Sequence, residues 1–548
     1  MRQVSVAHMS PDHLWPAMLI GDLLENRARS TPEGVFWEQG GRAWRYSEIN
    51  QAAHRVARTL RAEGLRPGEH AAIQALNGPA YLAAHFGAAK AGVVLAHLNT
   101  HYSATELHRL IDHSEARLVF LSPAQVESID SIQAGLPRIR RWVLLPEGGW
   151  DDAPGAKELP CPPWAVDLAA WWDPPDADSA AGGGVSDGRD LDPESPFQLL
   201  YTSGTTGAPK GALISHRAKF RQGTTHALNL GLLPGDRLYS TLPLYHQFAQ
   251  WLMLVSVPIA GATVVARPAF DAADCLAALA DERISHLPAV PTMLYRLLDH
   301  SGGEIPFAPW LRCIVYGGAP VAGSRIPLLR KAFPNVRLFQ GFGQTETGYC
   351  LGLHDGDHDR RPEALGRPDV FSEVRLVDER GRDVSDGQVG EIVARTPYLM
   401  QGYHRDPAAT EAYFAFGGQW GRTGDLAVRD NEGYFTLVGR MDDMIISGGV
   451  NIHPAEIEQV LLQHPDVADA AVWGHPDEEW GEQVVATVIP REGANLAVET
   501  LETHCREALA GFKCPRRFLV LEAFPRTPSG KVQKHLLRDR LLTDPDQM

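Results

Sequence analysis

The chain has 548 residues, 44% of them apolar and 22% charged, values of an ordinary globular protein long enough for more than one domain. With 51 Lys plus Arg against 67 Asp plus Glu, the formal charge is −16, which speaks against a general nucleic-acid or anionic-membrane surface. The six cysteines, Cys161, Cys275, Cys313, Cys350, Cys505 and Cys514, form no CxxC pair, so a reducing, cytoplasmic setting without disulfide framework or zinc site is expected.

The first fifteen residues lack the apolar stretch of a signal peptide. From about 22 to 122, helical patterns alternate with short apolar runs. Residues 49–60 read as a helix and 70–75 as a strand, which predicts α/β layers. Residues 151–195 are rich in Pro, Gly, Asp and Ser and read as a flexible surface connection. The most apolar stretch, 251–266, is too short to span a bilayer and is interrupted by Pro258 and Gly261, so it reads as buried core and no membrane span is expected. Three strands each lead into glycine-rich loops: 197–201 before Ser203, 311–316 before Gly317 and Gly318, and 336–340 before Gly341. Ligands of open α/β sheets bind at the carboxyl ends of strands, so these loops are candidates for one site. Beyond Gly439, helices at 454–463 and 499–510 and strands at 467–473 and 518–521 predict a small α+β domain of about a hundred residues.

The loop 201–211 reads Tyr-Thr-Ser-Gly-Thr-Thr-Gly-Ala-Pro-Lys-Gly. Thr202, Ser203, Thr205 and Thr206 offer hydroxyls, Gly204 and Gly207 let backbone N–H groups approach an anion, and Lys210 adds a positive charge. Lys210 is followed by Gly211, so the common nucleotide P-loop is absent, and by composition alone a plain surface loop is an equal reading.

This run resembles the signature of the adenylate-forming superfamily: acyl-CoA synthetases, peptide-synthetase adenylation domains and luciferases. The resemblance covers about 23–542. It implies an α/β fold with a large multi-sheet N-terminal adenylation domain, 1–440, a small mobile α+β C-terminal domain, 441–548, and an active site between them. It also implies ATP, Mg²⁺ and CoA as ligands. Residues 341–346, Gly-Phe-Gly-Gln-Thr-Glu, are similar to the family's aromatic-Gly-x-Thr-Glu motif, which would stack Phe342 on adenine, set Thr345 on phosphate and hold Mg²⁺ with Glu346, beside Gln340 and Gly341. Mg²⁺ prefers oxygen ligands and keeps several waters, so one carboxylate suffices. Phe342 replaces the more usual Tyr. Gly318, Ala319 and Pro320 resemble the adenine-side wall and the rim of the acyl pocket. Asp425, in Gly421-Arg-Thr-Gly-Asp, resembles the aspartate that accepts from the ribose diol. In the run from Gly439 to Ile452 the resemblance puts Arg440 on the nucleotide, the interdomain hinge at Asp442, and Gly448 and Gly449 on a loop that enters for the second half-reaction. Lys531, in Pro-Ser-Gly-Lys, resembles the catalytic lysine that offsets repulsion between carboxylate and α-phosphate. Lys210, Arg440, Lys531 and Mg²⁺ would thus neutralise two anionic substrates against an acidic background.

His246, within Pro243-Leu-Tyr-His-Gln-Phe248, resembles the histidine that faces or gates the acyl group, although a structural role for a lone His is equally open. Phe220, Phe248, Gly317, Gly318, Gly341, Thr347 and Tyr349 complete the expected acyl pocket. Between His246 and Val257 there is no Asp of the kind that pairs with an α-amino group, which favours an acid without one. Trp480, Phe512, Lys513 and Arg516 resemble the CoA site of arylcarboxylate ligases. There Lys513, Arg516 and Arg517 give three cations in five residues, a set suited to a ribose phosphate. The expected function is therefore a carboxylate–CoA ligase that passes through an acyl-AMP. Two rivals stay open: transfer of the same acyl group to an amine or a carrier-protein thiol, and a non-catalytic nucleotide-binding relative. Which acid is activated is not legible, nor is the oligomeric state, a homodimer being one option.

Overall fold

The computed structural model describes residues 19–147, 150, 161–172, 191–202, 209–302, 308–319, 321–448, 450–477, 479–491, 493–494, 496–526 and 532–543. These divide into two compact units.

The first unit takes in the described residues up to 202, 210–269 and 398–406. Its larger sheet has eight strands in the order Gly402–Tyr403, Lys210–Ser215, Pro196–Thr202, Val94–His97, His70–Gln74, Leu118–Leu121, Arg141–Leu144 and Val166–Asp167. From Pro196–Thr202 onward all neighbours are parallel. The inner strands Val94–His97 and Leu118–Leu121 are buried along their whole length, as a sheet covered on both faces requires. Helices Tyr46–Ala62 and Pro79–Ala91 pack on each other at Gly87, where a Cβ would lie 2.5 Å from the Val56 side chain. A second group of strands runs Arg237–Ser240, Thr263–Ala266, Val35–Gln39 and Arg42–Arg45.

The apolar stretch at 251–266 is buried core. Helix Gln247–Trp251 widens into a π turn, Leu252–Ser256, before helix Val257–Ala260 and strand Thr263–Ala266. Pro258 has no N–H to continue the ladder, which accounts for the wide turn just ahead of it. Among the described residues no helix is long and apolar enough to cross a membrane. The reading of 151–195 as a connection needs correction where the structure describes it. Val166–Asp167 is an edge strand and Leu168–Trp172 a helix with both tryptophans buried. The Trp171 ring meets Phe120 edge-on at 5.5 Å and its Nε1 donates to Glu63 at 3.2 Å. The surrounding Pro, Gly and Asp mask this short apolar run.

The second unit takes in Pro209 and the described parts of 270–397 and 407–548. Its strands run Glu373–Val377, Val389–Arg395, Trp420–Arg429, Phe435–Arg440, Ala364–Pro368, Gly348–Leu353, Arg337–Gln344, Cys313–Gly317 and His286–Ala289. The last three are parallel and the others antiparallel. The expectation that a strand at 336–340 ends in a glycine loop is corrected: the strand continues through Gln344 and turns back on Gly348–Leu353. The C-terminal part has a sheet of its own, with Val450–Ile452, Ile445–Ser447, Gly481–Pro490 and Val467–Asp477 in order and Arg517–Val520 parallel to Gly481–Pro490. Helix Pro454–Gln463 starts on its proline, and its Ile457 and Leu461 join Ile445, Val472, Val484, Ala486, Val488 and Leu501 in a separate core. The whole is a mixed α/β protein with a large multi-sheet N-terminal domain and a small C-terminal domain.

Candidate active site

Strands Cys313–Gly317 and Arg337–Gln344 bring two of the sequence motifs into register, with Tyr316 beside Gln340 and Gly317 beside Gly341. A Cβ on Gly317 would lie 2.9 Å from the Gly341 carbonyl oxygen, so glycine is needed for this approach. Gly318 follows at φ +84°, and it and Ala319 are exposed. Pro320 lies outside the described residues. The buried Tyr349 ring lies along Gly341 and Gly352, where a Cβ would come within 3.6 Å and 2.1 Å of its side chain. Gln340 is buried and Thr345 half-buried. Phe342 is half-buried against the core around Leu351, Leu365 and Ile392. Thr347, expected to line the acyl pocket, is fully buried in the turn. Its hydroxyl accepts from the Gln344 N–H at 3.0 Å and its carbonyl from the Thr396 hydroxyl at 2.6 Å.

The most connected group is Asp425. It pairs across the strands with Arg440 and is 4% exposed, which makes its partners decisive. Arg440 Nε donates to Oδ1 at 2.8 Å, and Gln344 Nε2 donates to Oδ2 at 2.8 Å and to the Thr423 carbonyl at 2.7 Å. Each carboxylate oxygen keeps a further lone pair for a diol. Gly424, at φ +68°, turns the backbone so that its N–H reaches Glu391 at 3.2 Å, while Glu391 also pairs with Arg422. Against its burial, the charges of Asp425, Asp443 and Glu346 raise the Arg440 guanidinium above its ordinary value. Glu346 is itself buried, a carboxylate close enough to Arg440 to act on it. Sequence reasoning misses Gln344 and Glu391 as site residues. Gln344 stands at the variable position of its motif, and Glu391 belongs to no motif.

In the first unit, Thr202 and Lys210 face each other across the hairpin formed by Pro196–Thr202 and Lys210–Ser215. Lys210 is exposed, with its ammonium 5.3 Å from the centre of the Tyr403 ring. Ser203, Gly204, Thr205, Thr206 and Gly207 lie outside the described residues. His246 precedes helix Gln247–Trp251, with its ring 4.7 Å from that of Tyr245. His246, Gln247 and Phe248 are half-buried whereas the rest of the helix is fully buried, and Phe248 stacks on Trp251 at 5.3 Å. Phe220 is half-buried on helix His216–Leu230.

In the C-terminal part, Asp442 is exposed in the single turn Met441–Asp443 that links strand Phe435–Arg440 to Ile445–Ser447. Gly448, at φ +57°, donates its N–H to the Trp480 carbonyl at 2.8 Å, and a Cβ there would lie 2.9 Å from the Trp480 ring. Arg516 stacks over that ring at 4.8 Å. Phe512 is exposed. Lys513 donates to both Glu456 oxygens at 2.7 and 2.8 Å, so the expected run of three cations carries a local counter-charge. Gly449 and Lys531 lie outside the described residues. Among the described residues no group of three His, Cys, Asp or Glu is placed to hold a metal ion.

Comparison with known proteins identifies the family. Residues 24–404 match the family described as AMP-binding enzyme, and residues 456–531 match the AMP-binding enzyme C-terminal domain. A feruloyl-CoA synthase from Amycolatopsis is 33% identical over 522 residues, 95% of this chain and 99% of that protein. Among solved structures, an o-succinylbenzoate CoA synthetase from Bacillus subtilis, in complex with its acyl-adenylate intermediate, is 28% identical with a TM-score of 0.78, covering 94% of this chain and 98% of that one. An amide bond synthetase from Marinactinospora thermotolerans is 27% identical with a TM-score of 0.80, covering 95% and 99%. The chain belongs to the AMP-binding enzyme family, the adenylate-forming enzymes.

Proposed function

We propose that this protein is a carboxylate–CoA ligase. The carboxylate oxygen of an organic acid attacks the α-phosphorus of ATP, pyrophosphate leaves, and an acyl-AMP forms. The thiol of CoA then attacks the acyl carbon, loses its proton to solvent, and releases AMP with a thioester. The observation that carries the reading is buried Asp425, held by Arg440 and Gln344 in a chain 33% identical over nearly its full length to a feruloyl-CoA synthase.

In this reading Asp425 accepts from the ribose hydroxyls, Arg440 contacts the nucleotide, and Gln340, Gly341, Phe342, Gly318, Ala319 and Pro320 border adenine. Thr345, Lys210 and the loop from Thr202 to Gly207 meet phosphate. Glu346 is an oxygen donor of the kind Mg²⁺ takes, and Mg²⁺ bound there supplies charge neutralisation to the phosphates. Lys531 steadies the attacking carboxylate during adenylation. The small domain, beginning near residue 441, then turns about Asp442, and Gly448 and Gly449 replace Lys531 beside a CoA held by Trp480, Phe512, Lys513 and Arg516. The exposed turn at Asp442 and the separate core beyond it support such a hinge. His246, Phe220, Phe248, Gly317, Thr347 and Tyr349 belong to the acyl side. A cytoplasmic location fits the scattered cysteines and the CoA requirement.

One rival, transfer to an amine, corresponds to the activity named for the similar amide bond synthetase. Incubation with ATP, an acid and either CoA or a panel of amines separates the two. Thioester with CoA is the expected product, and amide without any thioester would overturn the ligase reading.

A further inference from the structure

Strands Val389–Arg395 and Trp420–Arg429, both in the second unit, do not pair evenly. Glu391 stands opposite Leu426 and Val393 opposite Arg422, so Ile392 alone faces Thr423, Gly424 and Asp425. The strand that carries Asp425 therefore bulges here, bending at Gly424. A bulge takes backbone groups out of the ladder and re-aims the side chains on it.

The backbone groups of the bulge end on two side chains. The Gly424 N–H donates to Glu391 Oε1 at 3.2 Å. The Asp425 N–H donates to the Thr423 hydroxyl at 3.1 Å, and that hydroxyl donates to the Ile392 carbonyl at 2.8 Å. Arg422 Nε donates to Glu391 Oε2 at 3.0 Å. This ion pair is lopsided: the Arg422 side chain is 38% exposed and that of Glu391 5%. Water reaches the guanidinium, whereas the carboxylate depends on its protein donors. A buried carboxylate short of donors is costly, so Glu391 is held to Arg422 and to the bulge at once. Gln344 Nε2 completes the clamp by bonding both the Thr423 carbonyl and Asp425 Oδ2.

We propose that Glu391 is a positioning residue for the ribose of ATP: by holding the Gly424 N–H it fixes the bulge, and with it the direction in which Asp425 presents its carboxylate to the two hydroxyls. Thr423 serves the same end from within the bulge. This rests on the ligase reading and on its assignment of Asp425 to the ribose. Hydrogen bonds are directional, so a relaxed bulge weakens the contact to the ribose hydroxyls more than the contacts to adenine or phosphate.

The test compares ATP with 2′,3′-dideoxyATP, which lacks both hydroxyls, by kcat/KM for pyrophosphate release at saturating acid. It uses wild type, Glu391→Leu, Glu391→Gln, Thr423→Val and Asp425→Ala. Wild type is expected to prefer ATP, and the ATP-to-dideoxyATP ratio to fall by about 10-fold or more in Asp425→Ala, Glu391→Leu and Thr423→Val. Glu391→Gln keeps an acceptor oxygen for the Gly424 N–H and is expected to retain more of the ratio than Glu391→Leu. Adding Glu391→Leu to Asp425→Ala is expected to leave the ratio where Asp425→Ala alone puts it, because Glu391 acts through Asp425. The ratio is taken within each protein, so partial loss of folded enzyme cancels, and Thr423→Val and Glu391→Gln carry the test if Glu391→Leu does not fold. A wild-type ratio in every Glu391 and Thr423 variant that folds, or a further fall in the double variant, overturns the proposal. A ratio unmoved in Asp425→Ala overturns the ribose assignment and the proposal with it. Absence of pyrophosphate release with any acid instead overturns the ligase reading beneath both.

Discussion

Gln344 Nε2 gives two hydrogen bonds at one corner of the site, and one of them ends on a buried carboxylate. A hydrogen bond to a charged group contributes about 1.5–3 kcal/mol, so Gln344→Leu, which leaves buried Asp425 one donor short, is expected to lower the melting temperature and to raise the KM for ATP by about 10-fold or more. Steady-state kinetics at saturating acid check this, and an unchanged KM would remove Gln344 from the site. Lys531→Ala is expected to slow pyrophosphate release by about 100- to 1,000-fold, the effect of losing one preorganised donor worth about 2.7–4 kcal/mol. Thioester formation from supplied acyl-AMP should survive in that variant, and equal loss of both steps would contradict a role confined to adenylation.

At the scale of elements, the proposed chemistry falls on turns and hairpins, and glycines set their geometry. Gly448 holds φ +57° against the Trp480 ring. A side chain there is strained by its backbone and meets the ring at once, so Gly448→Val is expected to keep pyrophosphate release and reduce thioester formation by at least about 100-fold. Measuring the two half-reactions separately checks it. Gly343 faces a different constraint: a Cβ would lie 1.9 Å from the Gly348 carbonyl oxygen across the hairpin. Gly343→Ala is expected to destabilise the fold by more than about 2 kcal/mol, read as a lower urea midpoint. A wild-type midpoint would mean that the hairpin shifts without cost.

Across the whole molecule, acid should destabilise the protein earlier than carboxylates alone would. Burial holds His85, His216 and His226 at about 3, against an ordinary 6.5. They are neutral in the native state, while an unfolded chain takes up protons near 6.5. Their contribution is therefore present above pH ~6.5 and is lost as pH falls from about 6.5 toward about 3, at up to about 1.4 kcal/mol per histidine per pH unit. Urea midpoints at pH ~7.5, ~6.5 and ~5.5 should decline below the ordinary histidine range, and a flat profile over that span would count against three neutral buried histidines.

The strand pattern and the helix beginning at Pro454 are legible in the sequence because each depends on local spacing, period-two and period-3.6 burial and a proline at a first turn, whereas the nucleotide motifs are read through their resemblance to the family. Asp425 and Arg440 stand out only because their short runs resemble motifs of the family. Their pairing is not legible, because it arises from the register of two strands, Asp425 opposite Arg440, and from a side chain 81 residues away, Gln344. The continuation of strand Arg337–Gln344 through its glycines is hidden because glycine signals a turn locally, whereas pairing with Gly348–Leu353 holds it extended. Residues 168–172 are obscured by the polar composition around them, and only the tertiary structure brings the Trp171 ring to Phe120. Lys219 is the sharpest case. Beside Arg217 and Arg221 it looks like one more surface cation, and only the tertiary packing around it makes it a buried lysine.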